Sequence, residues 1–321
     1  MRTTSFLRSL SSRLTTTTRR SSSRVVAPLP EQTRFSDEIT GELDALRSSE
    51  CEFTSASWLV DVLDATIVTQ KVAQEYVIKN ANNIILSKID NEMIDTYLES
   101  NVELLDACNG LVEKIDMVHK YVDSLQTSMR LLAIDNVRSQ EIFKECGELE
   151  AQCTALDKCG PKLCRLMGKK DMHVNHGEDN QDLKLHEVLS GSKEVATMSC
   201  HLLQRALSFK SRQGLMKIRS RLPTTWSSSL NALQEILNEE AENRKKRNAP
   251  WMMNELEKMV MDARILHDQV KSSKGSVSID NLRRSCKALE EGVKPLEERV
   301  RELYKHLISI RMDLLGILSR S

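Results

Sequence analysis

The chain of 321 residues is long enough for two average domains or for one elongated helical unit. Glycine and proline make up about 5% of it, against about 12% in average proteins, and aromatic residues are scarce, so sandwiches, barrels and α/β folds are disfavoured and an all-α protein is predicted. The 46 basic residues balance the 46 acidic ones, and a chain without a basic excess is not expected to bind nucleic acid.

Residues 1–30 differ from the rest of the chain. They hold six arginines, seven serines and six threonines but no acidic residue, which leaves 40 basic and 46 acidic residues in the remainder. This composition is typical of an organellar transit peptide, and a disordered basic tail is the alternative. The hydroxyl content favours a plastid, the arginines favour a mitochondrion, and a cytoplasmic or peripheral membrane location follows if the segment is only a tail.

Residues 31–321 are predicted to form one domain, an elongated antiparallel helical bundle with long heptad-patterned helices. A short first helix begins at Ser36, a suitable N-cap residue, and a second helix runs from about Ser57 to Asn80. The strongest pattern lies between Tyr97 and Leu132, where inward positions alternate at steps of four and three residues. That helix spans about 54 Å and carries an apolar stripe wide enough to face two neighbours.

The second half of the chain shows the same helical periodicity with more interruptions. A helix is predicted over 138–167, an exposed loop over about 168–182, and helices over 185–206, 226–247 and 252–270. A final heptad runs from Ile279 to Leu314 and is expected to pack on the first one. Because Gly292 and Pro295 interrupt it, we predict two consecutive helices, roughly 278–291 and 294–319.

The eight cysteines show no C-x-x-C spacing, which disfavours a structural zinc site. Cys146 and Cys153 are in register with Ile142, Leu149 and Leu156, so they are predicted to be small apolar core residues. Redox or metal chemistry is the alternative.

One cluster resembles a metal site, His173-x-x-His176-x-Glu178-Asp179, but it lacks the one-turn spacing of two histidines on a helix. A solvated loop is the favoured interpretation, and a metal-dependent enzyme using His173 and His176 is the rival function. No nucleophile elbow or phosphate-binding loop occurs, so neither a catalytic residue nor a cofactor is predicted.

Two basic segments are candidate interaction sites. Residues 244–247, RKKR, are interpreted as a solvated helix end rather than a nuclear-localisation signal. Residues 207–222 form a basic amphipathic stretch that could lie on an anionic membrane or in a partner groove, or simply bury an apolar stripe. Its candidate contacts are Lys210, Arg212, Lys217, Arg219 and Arg221.

The blocks SASWLVDVLDATIVTQKVAQEYV (Ser55–Val77), YLESNVELLDACNGLVEKID (Tyr97–Asp116) and PLEERVRELYKHLISIRMDLLGIL (Pro295–Leu318) resemble the plant BYPASS-related family. The resemblance covers roughly residues 35–320. Within its most specific block, Asn101 and Asn109 are polar residues that core packing does not explain, and we treat both as interaction candidates. The chain departs from many members at 197–215, where they carry a more apolar run.

The resemblance implies a mostly helical, non-enzymatic plant protein with a developmental role. The namesake lineage is linked to restraining a root-derived signal that arrests shoot growth, and a related branch to exocyst-dependent secretion. We therefore expect an interaction protein that binds other proteins through helical grooves, with homo-oligomers possible. A peripheral membrane or exocyst-associated adaptor is the alternative.

Overall fold

The computed structural model describes residues 31–84, 88–132, 134–159, 180–209, 215, 223–272 and 279–320. These residues contain no strand, and they form eight helices. In chain order the helices are α1 (Glu31–Ser48), α2 (Ala56–Ile84), α3 (Lys88–Leu131), α4 (Asn136–Cys159), α5 (Asn180–Ala206), α6 (Thr225–Lys246), α7 (Asn254–Ser272) and α8 (Asp280–Leu318). The predicted all-α bundle is confirmed.

Helix α5 lies at the centre of the bundle. Between Glu187 and Leu203 every residue is buried except Lys193, which is half-buried. Helix α5 packs against α2, α3 and α6, whereas α8 packs against α2, α3 and α7, α1 against α2 and α6, and α4 against α3 and α7. A central helix enclosed by its neighbours explains how a chain with modest hydropathy buries a continuous core.

The two long heptads pack on each other, as predicted. Arg311 Nη1 donates to the Leu98 carbonyl at 2.7 Å and Gln126 Nε2 donates to Glu290 at 3.1 Å, so α3 and α8 run in opposite directions. Leu111 and Leu303, one from each seam, are fully buried. With 44 and 39 residues, the two helices extend about 66 and about 58 Å.

Helix α2 lies on the other side of α8 and runs in the same direction as it. The Arg299 guanidinium reaches Asp64 at 2.6 Å, and Gln74 Nε2 donates to Asp313 at 2.5 Å. The bundle therefore combines an antiparallel pair, α3 with α8, and a parallel pair, α2 with α8.

The prediction of two helices at the C-terminus was wrong, because α8 continues through both Gly292 and Pro295. Pro295 and Glu291 are both exposed. Because proline has no amide hydrogen, the Glu291 carbonyl lacks its usual intrahelical donor, and on this outer side of the helix water can replace it. The buried seam on the inner side continues across the site through Val293 and Leu296. Burial of that seam outweighs one missing hydrogen bond.

Helix α4 is rotated relative to the predicted inward face. Cys146 and Cys153 are buried as predicted, but Ile142, Leu149 and Leu156 are only half-buried. The inward positions beside and between the cysteines are occupied instead by Ser139, Phe143 and Glu150. The side chains of Ser139 and Glu150 are hydrogen-bonded there, and Phe143 contributes an aromatic ring.

Several helices begin at residues other than those predicted. Helix α1 begins at Glu31, before the predicted Ser36 cap, and α4 begins at Asn136. Most of the predicted loop over 168–182, including His173 and His176, lies outside the described residues, although residues 180–182 belong to α5.

Candidate interaction site

A cleft of about 780 Å³ opens where the connection between α1 and α2 meets α7 and the first turns of α8. Its walls come from three parts of the chain that are distant in sequence. Polar and charged side chains line it, among them Ser55, Glu255, Lys258, Asp262, Arg284 and Ser285.

Arg244 holds the α1–α2 connection in place beside this cleft. Its Nη2 donates to Thr54 Oγ1 at 2.6 Å and to Asn254 Oδ1 at 3.0 Å, and the guanidinium also reaches Glu240 and Glu257 at 3.2 and 3.4 Å. The Trp251 ring lies under it, 5.9 Å from the guanidinium carbon. Five partners around one mostly buried fork make Arg244 a structural junction between α6, α7 and the connection.

The RKKR segment is thus not uniformly a solvated helix end. Lys245, Lys246 and Arg247 are exposed, as predicted, but Arg244 is turned inward. The sequence of four consecutive cations does not indicate which of them has a buried partner, so the role of Arg244 could not be predicted from it.

The start of α2 is fixed against α7 and α8. Glu255 accepts from the Ala56 amide through both carboxylate oxygens at 3.1 Å, which satisfies an otherwise unpaired donor of the first turn. At the same level Gly292 of α8 lies so close that a Cβ atom placed on it would be 2.7 Å from Ala56 Cβ. Gly292 therefore serves close helix packing and not helix termination.

Carboxylates and cations both line the cleft, and the two cations are exposed. Besides Glu255, Asp262 accepts from Ser285 Oγ, and Glu52 accepts from Asn254 Nδ2. Lys258 is exposed and makes no ion pair with another described residue. Arg284 is exposed too and donates to Asn281 Oδ1 at 2.6 Å. A bound molecule would thus meet two exposed cations, several hydroxyls and three carboxylates.

The two predicted asparagines lie in different environments. Asn101 is fully buried, and its Nδ2 donates to the Leu307 carbonyl at 3.1 Å, so it joins the two long helices from inside. Asn109 is exposed on the outer side of α3. The five basic candidates, Lys210, Arg212, Lys217, Arg219 and Arg221, lie outside the described residues. Nearby, Phe209 is buried and packs on Tyr121 at 4.9 Å, and Leu215 packs against the core.

Polar residues of the interior form a connected network around α5. Gln70 Nε2 donates to the Ser192 carbonyl at 2.8 Å, Tyr97 Oη donates to Gln70 Oε1 at 3.1 Å, and Thr66 shares a 2.6 Å hydrogen bond with Ser199. Burial raises the pKa of Tyr97 to about 12. Such satisfied groups fix the register between helices and have no access to a substrate.

Burial favours the neutral forms of one histidine and two cysteines of the interior. Burial, with Arg205 and Lys114 nearby, lowers the pKa of His201 to about 4. Burial also raises the pKa of the Cys146 and Cys286 thiols to about 12. Those two cysteines, like Cys108, Cys153 and Cys200, are buried free thiols, while Cys51 is exposed at the rim of the cleft.

Within the described ranges, no three His, Cys, Asp or Glu side chains are placed to hold a metal ion. None of the described helices is long and apolar enough to cross a membrane.

The fold and the cleft define an all-α protein with one enclosed helix and a polar groove between three of its segments. The family model described as "Protein BPS1" matches residues 77–317, and the chain belongs to that family. A second model, described as "Protein ROH1-like", matches residues 1–144.

Curated relatives come from plants. The chain is 27% identical to "UPF0496 protein 4" of Oryza sativa subsp. japonica over 218 residues, which are 65% of this chain but 47% of the relative, so the match spans about half the length of that rice protein. It is 21% identical to "Protein BPS1, chloroplastic" of Arabidopsis thaliana, covering 89% of this chain and 83% of the relative. "Protein ROH1D" of the same plant is 19% identical, covering 88% and 87%. No solved structure matches the chain.

Proposed function

We propose that this chain is a non-enzymatic regulator of plant development that acts by binding other proteins, and that the cleft beside Arg244 receives a segment of a partner. Membership of the BPS1 family supports the developmental role, including the link to restraining a root-derived signal that arrests shoot growth. The cleft carries the binding proposal, because it is a groove of about 780 Å³ lined by hydroxyls and by charged groups that include two exposed cations.

Charge defines the partner segment. Lys258 and Arg284 are exposed, whereas Glu255 and Asp262 are half-buried and, like the exposed Glu52, accept hydrogen bonds within the protein. An acidic side chain would form charge-assisted hydrogen bonds there, which are about twice as strong as neutral ones. The network around Arg244 keeps the wall of the cleft ordered, so a bound segment would not have to order it.

A plant growth assay tests this proposal. In plants lacking the gene, the wild-type protein and a Lys246→Glu control, which reverses an exposed charge away from the cleft, should restore normal shoot growth. The Lys258→Glu, Arg284→Glu double variant should fail to do so while keeping the wild-type melting temperature. Affinity purification from the same plants should recover fewer partners with the double variant. Full rescue by the double variant would refute the role of the cleft.

We also propose that residues 1–30 direct the chain to the plastid. Their composition supports it, and one relative is named as chloroplastic. A fusion of residues 1–35 to a fluorescent protein should accumulate in plastids. Fluorescence in mitochondria would instead identify a mitochondrial transit peptide, and diffuse fluorescence would show that the segment is only a basic tail.

Contact with an anionic membrane through the basic segment from Lys210 to Arg221 is the second candidate, favoured by its five cations. Because Phe209 and Leu215 pack against the protein, the membrane contact would depend chiefly on charge. Salt-sensitive binding to vesicles containing phosphatidylserine should then be lost when these cations are replaced by glutamine. If the wild-type protein does not bind such vesicles, contact with an anionic membrane is refuted.

A further inference from the structure

A groove of about 410 Å³ runs along the outside of the contact between α3 and α4, and we call it the α3–α4 groove. Three exposed carboxylates line it, Asp123 from α3 and Glu145 and Glu148 from α4, and none of them forms an ion pair with another described residue. Among the described residues its lining holds one cation, Lys120, and one turn before Lys120 the exposed Asp116 adds another negative charge. The groove is therefore open and negatively charged.

The α4 wall of the groove also carries an apolar stripe. Leu149 lines the groove, and Ile142 and Leu156 precede and follow Leu149 at a spacing of seven residues, so the three side chains lie on one side of the helix. All three are only half-buried. An apolar stripe of about 21 Å with acidic borders is the kind of surface that receives a basic amphipathic helix.

The chain itself carries such a sequence in residues 1–30. This segment contains six arginines but no lysine and no acidic residue. Phe6, Leu10 and Leu14 recur at steps of four, so in a helix they form an apolar stripe, with arginines between them in the sequence. Arginine is always charged and pairs with a carboxylate through two parallel hydrogen bonds. Both the apolar and the charged groups of the segment thus match those of the groove.

The other basic amphipathic stretch, residues 207–222, matches the groove less well. Phe209 is buried against Tyr121, and Leu215 packs against the core, so apolar side chains of this stretch already belong to the bundle. Two of its five cations are lysines, which cannot form the parallel pair of hydrogen bonds to a carboxylate. Residues 1–30 are therefore the favoured occupant.

The N-terminal segment is long enough to reach the groove. Phe35 of α1 lies against Gly191 of α5, and the next residue, Ser192, donates to the Tyr97 hydroxyl of α3 at 3.4 Å. Along α3, Lys120 of the groove is about 35 Å from Tyr97. The sixteen residues between the apolar stripe of the segment and α1 span up to about 53 Å when extended.

We propose that residues 1–30 bind the α3–α4 groove of their own chain as a helix, with the apolar stripe on Leu149 and the arginines on the surrounding carboxylates. Because the segment is tethered, its effective concentration at the groove is about millimolar, and individually weak contacts suffice. The bound segment is then covered, and a receptor for it has to compete with the groove. This inference goes beyond the proposed function, since either a plastid signal or a basic tail can bind in this way.

Photo-crosslinking of the purified full chain tests the contact. With p-benzoylphenylalanine in place of Phe6, irradiation should join residue 6 to residues 116–124 of α3 or 142–156 of α4. The product should be a single chain of 36.5 kDa, because the contact is intramolecular. Salt at about 0.5 M should lower the yield, since it screens exposed charges.

Charge reversal in the groove should lower the yield about tenfold, because like charges then face each other. This triple variant combines Asp123→Lys, Glu145→Lys and Glu148→Lys. A matched triple variant changes the net charge equally at exposed carboxylates of α6 and α7 and should keep the wild-type yield. It combines Glu235→Lys, Glu239→Lys and Asp268→Lys. Both variants should keep the wild-type melting temperature. If the first does not, the neutral set should still lower the yield: Asp123→Asn, Glu145→Gln and Glu148→Gln.

Three outcomes would overturn the proposal. The first is a crosslink that maps mainly outside the groove, and the second is an equal yield from the two triple variants. The third is a main product of twice the mass, which would show that a second copy supplies the segment. The fusion of residues 1–35 to a fluorescent protein lacks the groove, so its result can agree or disagree with the plastid proposal independently of this one.

Discussion

Replacement of Gly292 by alanine tests how closely α2 and α8 approach each other. Gly292 lies within α8, where alanine alone would favour the helix by about 1 kcal/mol. The new Cβ, however, would be 2.7 Å from Ala56 Cβ, an atom at the start of α2 that has no flexible end to move aside. Overpacking of this kind costs about 1–3 kcal/mol, so we expect Gly292→Ala to lower the free energy of unfolding or leave it almost unchanged.

A matched control removes the contribution of helix propensity. Gly147 lies in the interior of α4, and a Cβ on it would meet nothing within 4 Å, so Gly147→Ala should raise the free energy of unfolding by up to about 1 kcal/mol. The difference between the two variants, measured by urea unfolding, should therefore be about 1–3 kcal/mol.

Ala56→Gly in the Gly292→Ala background should recover most of this loss, because it removes the opposing atom. If Gly292→Ala stabilises the protein as much as Gly147→Ala does, the two helices are not in contact at this point.

Three further predictions concern the interior. Leu111→Ala should lower the free energy of unfolding by about 2–5 kcal/mol, and an unchanged melting curve would show that the α3 seam is not packed. Since the pKa of His201 falls from 6.5 to about 4 on folding, the unfolded chain binds more protons between those pH values, and stability should decline by up to about 3 kcal/mol as the pH falls through them. His201→Gln should flatten that part of the pH profile, and an unaltered profile would place the titrating group elsewhere. Arg244→Lys should cost about 1–3 kcal/mol in thermal unfolding because an ammonium group cannot reach all the partners of the guanidinium, whereas Lys245→Ala should cost less than about 0.5 kcal/mol. Equal effects of these last two changes would contradict the junction role.

The sequence by itself determined the helical class and the inward faces of the longest helices. Periodicity of 3.6 residues is a local property, and Tyr97, Leu111 and Leu125 show it without any knowledge of their neighbours. The same holds for the C-terminal seam, where Leu289 and Leu303 are buried as their spacing indicated.

Only the tertiary structure decided how individual polar and small residues are used. Pro295 and Gly292 are helix-breaking signals in isolation, but burial of the seam on both sides keeps α8 continuous, and the approach of α2 gives Gly292 a packing role. Arg244 became a junction because Thr54, remote in sequence, comes within hydrogen-bond distance of it. The cleft depends on such distant pairings, and local periodicity carries no information about which helices become neighbours.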